Sequence, residues 1–129
     1  MGRNRTFVED DVIALCADVF RQTGYEGTSI DDLVQATGLH RGSLYKAFGS
    51  KRGLFILALK NATTRASVDD TTDLLLVSLM ELAPRDPEVR AITLAILASS
   101  SPPRTPHSLG IRLLDRASGS IAADMKEDA

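Results

Sequence analysis

Residues 37–51, TGLHRGSLYKAFGSK, compress a break, a short helix and a second break into a few positions. Thr37-Gly38-Leu39 is a tight-turn signal, because glycine supplies a left-handed backbone that other residues adopt only under strain. Gly49 and Ser50 interrupt again, and Ser50 can cap whatever follows. On a helical wheel of residues 41–48, Leu44 and Phe48 fall together with Ala47 nearby, which predicts the buried side. Gly42, Lys46 and Ser43 lie opposite, with Arg41 and Tyr45 on the flanks. The outer side is therefore small at two positions and long and positive at another. A surface helix under no other constraint would favour Glu, Lys, Gln or Ala there. Gly42 costs about 1 kcal/mol in helix propensity against alanine. Close approach of the backbone to another surface is one use for that glycine.

The remaining chain reads as helices of ordinary length. Thr6 with Glu9 fits a capping box that opens a first helix, whose apolar stripe is Val12, Ile13, Cys16, Val19 and Phe20. Gly24 is placed to end it. Ser29 with Asp32 is a second capping box, starting a short helix that runs to Thr37. A fourth helix runs from Lys51 to about Arg65. Further helical patterns cover residues 68–83, 86–100 and 107–125, the last weakened by Gly110 and Gly119. Leu74 to Leu82 is apolar all round, as expected of a central buried helix. No strand pattern and no repeat occur, so the fold class is all-α. The expected organisation is three helices over residues 1–50, joined by a long fourth helix to a further helical part within 51–129.

Charge separates the two parts. Net charge is −2, but residues 1–65 hold nine Lys/Arg against seven Asp/Glu, and residues 66–129 hold six against ten. Residues 40–65 contain Arg41, Lys46, Lys51, Arg52, Lys60 and Arg65 and no acid. An unopposed basic segment that begins at the small-faced helix points to a polyanion. The longest apolar run, LFILAL at 54–59, is too short to span a bilayer. No secretory signal is visible, and a cytoplasmic location without membrane contact is expected.

Catalysis and metal binding find no support. Cys16 is the one cysteine and sits among apolar neighbours, which predicts a small core residue. His40 and His107 have no metal-ligand spacing, and no GxSxG, HExxH, P-loop or GxGxxG occurs. No metal, no cofactor and no enzymatic activity are expected.

A major groove about 12 Å wide admits a helix whose first residues reach base edges. A short helix, a three-residue turn and a second helix match that use. The stretch DVFRQTGYEGTSIDDLVQATGLHRGSLYKAFGSKRGLF closely resembles the DNA-binding region of the TetR family of bacterial transcriptional regulators. The matching residues are Phe20, Gly24-Tyr25, Thr28-Ser29, Leu33, the Ala36/Gly38/Leu39 turn, Gly42, Leu44-Tyr45, Phe48, Ser50-Lys51 and Leu54, within about residues 8–60.

The resemblance implies a helix-turn-helix DNA-binding domain over residues 1–50, a reduced helical regulatory and dimerisation domain over 51–129, and a role for individual residues. His40, Arg41, Gly42 and Ser43 would sit at the entry of the groove-reading helix, beside bases and phosphates. Tyr45 would donate its hydroxyl to a phosphate, and Lys46 would face the groove. Lys51 would hold a phosphate together with the dipole of the fourth helix. Thr28 and Ser29 would touch the DNA backbone, and Arg3 and Arg5 would form a flexible N-terminal arm. Simpler roles stand beside these: half-buried packing for Tyr45, ordinary solvent exposure for Lys51 and His40, and helix capping alone for Ser29.

Relatives carry a longer C-terminal region that encloses a small-molecule pocket and supplies a two-helix dimer face. About 65 residues follow the fourth helix here, and none after Phe55 is aromatic. The expected partners are double-stranded DNA, a second copy of the chain and a small apolar ligand. The expected function is a repressor that binds a palindromic operator as a homodimer. It would be released when the C-terminal helices shift and re-space the recognition helices. Leu109, Ile111, Leu113, Leu114 and Ile121 are the expected dimer face. The other reading is an interaction module that pairs with a full-length relative.

Overall fold

Seven α-helices and no strand make up the described part of the computed structural model, which covers the backbone of residues 2–128 and the side chains of residues 9–119. They are α1 (Gly2–Thr23), α2 (Ile30–Thr37), α3 (Arg41–Phe48), α4 (Lys51–Arg65), α5 (Val68–Glu81), α6 (Pro87–Ser99) and α7 (Pro106–Asp128). Ser29, Ser50, Ser67 and Asp86 each accept from the backbone N–H three residues on, starting α2, α4, α5 and α6. The Ser29–Asp32 box closes in both directions, at 3.0 and 2.9 Å. Thr6 does not start α1, whose backbone is helical from Gly2. A capping preference is worth only about 1 kcal/mol, and no proline stands before Thr6 to halt the helix there.

The core forms where α1, α4 and α5 meet. α1 contributes Val12, Ile13, Cys16, Ala17 and Phe20, and α4 contributes Leu54, Phe55, Ala58, Leu59 and Ala62. The spacing in each is one helical face. Phe20, Tyr25 and Phe55 pack ring on ring, with Phe55 meeting the other two edge-on at 5.1 and 5.3 Å between centroids. Each such fully buried phenyl ring contributes about 1.5–3 kcal/mol. Burial pushes the Cys16 thiol up to about 11, leaving it uncharged and inert.

Residues 71–78 of α5 are buried on every side, because α1, α4, α6 and α7 all pack against this helix. Its buried polar groups are satisfied. The Thr71 hydroxyl donates to Ala62 O at 3.0 Å, and Ser78 pairs with Thr93 at 2.7 Å. Asp73, 6 % exposed, accepts two hydrogen bonds from Arg112 of α7 at 2.7 and 2.9 Å.

Two contacts tie the end of α5 and the start of α6 to the first helices. The Glu81 carboxylate accepts from Tyr25 N at 3.2 Å and Glu26 N at 2.8 Å. Arg52, at the start of α4, makes a two-pronged pair with Asp86 at 2.7 and 3.0 Å and reaches Glu88 at 2.7 Å. The Arg52 guanidinium and the Val89 N–H hold the Asp86 carboxyl down at about 2, against an ordinary 3.8. A carboxylate with a depressed folded pKa contributes stability above its unfolded value and loses it as pH falls through the folded one. Acid unfolding followed by circular dichroism should therefore lose stability between pH 3.8 and about 2. Asp86→Asn, which keeps an N-cap oxygen, should flatten that part of the curve. An unchanged acid limb would remove this role for the pair.

Candidate nucleic-acid interface

The α2–α3 turn forms as its sequence predicts. Gly38 has φ 74°, and its N–H donates to Val34 O at 2.9 Å. Leu39 tucks half-buried against the core. A Cβ on Gly53 would lie 2.8 Å from Phe48 O, so glycine there lets α4 pass close to the end of α3.

α3 rests on the core along a narrow edge. Leu44 is buried and Phe48 half-buried, but Ala47, expected on the inner side, is exposed. The short helix sits at the margin of the bundle against α2 and α4, which leave that edge uncovered. His40, Arg41, Gly42, Ser43, Tyr45 and Lys46 all point outward. A Cβ on Gly42 would meet nothing within 4 Å, so packing inside the chain gives no reason for glycine. Among α2 to α6, α3 is also the helix that starts without a side-chain cap; His40 occupies that position without making the bond. Its first-turn N–H groups and the positive end of its dipole are left facing outward, beside Arg41.

Several expected contacts are used within the chain instead. Thr28 is 1 % exposed, and its hydroxyl donates to Gly24 O at 2.6 Å. It is a buried turn residue whose hydroxyl, expected at a DNA backbone, is spent inside the fold. Ser29 is exposed, with its side chain engaged in the cap. Lys51 donates to Tyr25 O and Thr28 O, both at 3.1 Å, and its ammonium lies 4.3 Å from the centroid of the Tyr25 ring. Two of its three N–H donors thus hold the α1–α2 turn, leaving one for a phosphate. Arg41 is bonded to Asp31 of α2. The side chains of Arg3 and Arg5 lie outside the described residues.

The basic run of residues 40–65 is not a basic surface of the same extent. Arg52 is taken up by Asp86 and Glu88, and Arg65 faces Asp10 and Asp11 at 3.9 and 3.3 Å. These acids come from distant stretches, which a local charge count does not see. Lys46 of α3 stays without an ion pair among the described residues, as do Lys51 and Lys60 of α4.

For the expected small apolar ligand the described residues offer open, partly apolar clefts, one of about 380 Å³ lined by Thr63, Ile92, Ala95 and Ile96. A cleft of about 160 Å³ between α1, α4 and α5 is edged by Asp18, Arg21, Arg65 and Asp70. Another of about 190 Å³ is lined by Thr63, Thr71, Ser99, Ser100 and Arg104. With no aromatic after Phe55, the walls mix small aliphatic side chains, such as Ala14, Ala17, Ala62 and Leu74 in the cleft between α1, α4 and α5, with serine, threonine and charge. Among the described residues no group of three or more metal-ligating side chains occurs, and no helix is long and apolar enough to cross a membrane. On α7, Ile111, Leu113 and Leu114 are 47, 44 and 68 % exposed. Leu109 is half-buried, and the Ile121 side chain lies outside the described residues.

Residues 12–58 match the family described as bacterial regulatory proteins, tetR family. Over 61 residues the chain is 46 % identical to the uncharacterized HTH-type transcriptional regulator YezE of Bacillus subtilis, covering 47 % of this chain and 31 % of that protein. It is 44 % identical over 54 residues to the HTH-type transcriptional repressor ComR of Escherichia coli, covering 42 % and 26 %. A longer match, 39 % identical over 88 residues, is to the HTH-type transcriptional repressor AcnR of Corynebacterium glutamicum, covering 67 % and 46 %. The chain thus spans between a quarter and a half of these relatives. No solved structure matches it.

Proposed function

Because residues 12–58 of this chain belong to the bacterial tetR family of regulatory proteins, we propose that it binds double-stranded DNA as a transcriptional repressor, with α3 in the major groove. The observation that carries this reading is the outward face of α3, where Gly42 has no internal reason to be glycine. His40, Arg41, Gly42 and Ser43 enter the groove. Lys46 and Tyr45 flank it, the free N–H of Lys51 takes a phosphate, and Ser29 lies beside the backbone. Residues 1–50, with Lys51 at their border, carry the contact, and the rest of 51–129 the assembly and control. One recognition helix specifies few base pairs, so two copies act on a palindromic site. The exposed Ile111, Leu113 and Leu114 of α7 supply the joining face. A Cβ on Gly110 or Gly119 would meet nothing within 4 Å among the described residues, which leaves room for two such helices to approach closely. A releasing ligand would act at the cleft between α1, α4 and α5, where it could wedge α4 from α5.

The test is a titration of duplexes selected by the chain from a randomised pool, at a series of salt concentrations. Two chains should bind per duplex. Lys46 and Lys51 from both copies give a log–log salt slope of about −3.6, at roughly 0.9 per phosphate neutralised. A flat salt response would remove the DNA reading. A monomer without duplex binding would favour the interaction module.

A further inference from the structure

The α3 face carries an acid that neither capping nor core packing explains. Asp31 and Asp32 both lie in the first turn of α2. Asp32 is accounted for, since it accepts from Ser29 N and closes the capping box. Asp31 instead accepts from Nη2 of Arg41, the first residue of α3. Both side chains are exposed, at 75 and 56 %. A carboxylate on a face that approaches phosphates opposes binding by repulsion, so its presence there calls for a compensating use.

We propose that Asp31 is a positioning residue for Arg41, fixing which base the arginine reads. A guanidinium has five N–H donors in a rigid fork. The bond to Asp31 engages Nη2 and leaves Nε and Nη1 without a partner among the described residues. Nη2 has two N–H groups and Asp31 takes one; the other forms a two-donor edge with either Nε–H or Nη1–H, which can address two acceptors such as O6 and N7 of a guanine. Asp31 also repels phosphate, so it holds Arg41 away from the backbone, where the same guanidinium would bind any sequence alike. A long side chain tethered before binding loses less freedom on docking. The inference rests on the DNA-binding reading and adds to it a source of selectivity outside the groove-reading helix.

The experiment uses the full chain and a duplex selected by it from a randomised pool. Affinity for that duplex and for a scrambled one is measured by fluorescence anisotropy at one salt concentration. Wild type, Asp31→Asn, Arg41→Ala and the double variant are compared. Asp31→Asn should lower the ratio of selected to scrambled affinity about tenfold, within the range of one lost base contact. Most of that change should come from tighter binding to scrambled DNA. Arg41→Ala should lower the ratio too, and adding Asp31→Asn to it should lower the ratio no further. An unchanged ratio in Asp31→Asn overturns the proposal. So does an equal effect with and without Arg41, which would make Asp31 a plain repulsive charge. A wild-type chain that prefers no duplex overturns the DNA reading and this inference together. A selective wild type with unaltered Asp31→Asn overturns the inference alone.

Discussion

Replacing Gly42 with leucine should abolish selective DNA binding while leaving the free chain at least as stable. A Cβ at this position meets nothing within 4 Å, and the backbone there is ordinary helix. Removing a helical glycine gains up to about 1 kcal/mol, so the melting temperature should hold or rise. On DNA, four added carbons occupy the space between the α3 backbone and the groove wall. The loss should be at least about 100-fold, or some 2.7 kcal/mol. Gly42→Ala should show the same opposition of signs at smaller size. Thermal unfolding and duplex titration on the same preparations check both halves. A leucine variant that binds DNA as wild type does would place the groove-facing surface elsewhere.

Arg112→Met should be the most damaging of the charge substitutions. Asp73 lies in the part of α5 buried on all sides, and Arg112 supplies two of its hydrogen bonds. Removing the guanidinium strands a carboxylate with little water around it; Arg116, 3.9 Å away, offers only partial replacement. Breaking a buried pair from one side costs about 3–5 kcal/mol, and the lower end suits a partner whose side chain is 27 % exposed. Replacing both residues with apolar ones, Asp73→Leu with Arg112→Met, should recover most of that loss, because neither charge is then left alone. Chemical denaturation of the two single variants and the double variant measures this. A single variant as stable as wild type would show that α7 is held by its apolar contacts alone.

Local features were legible in the sequence, and distant partners were not. The Ser29–Asp32 box and the Gly38 turn involve residues within a few positions of one another. Their geometry follows from side-chain reach and backbone preference. The central burial of α5 could be read from the apolar run at residues 74–77, but its extent could not: burial begins at Thr71 and ends at Ser78, and the apolar Met80 is exposed. Asp73 could not be read, since its partner lies 39 residues away. Thr28 shows the same limit: a threonine before a helix start looks available, yet the fold turns its hydroxyl inward onto Gly24. The charge count of residues 40–65 failed for Arg52 and Arg65 because helices α1 and α6 bring acids to them. Asp31 reads in sequence as a helix-dipole residue. Only the crossing of α2 over α3 shows what it faces.

Glu81 carries a consequence for how the molecule can be watched. Its carboxylate bonds the amides of Tyr25 and Glu26 from 56 and 55 residues further along the chain. Both amides lie in the α1–α2 turn, outside any helix, where solvent exchange would otherwise be fast. Their protection is lent to them by the last turn of α5. Hydrogen-exchange rates at these two positions therefore follow the opening of α5 and not the fraying of α1. Two protons beside α2 become a native gauge of whether the second half of the chain is docked.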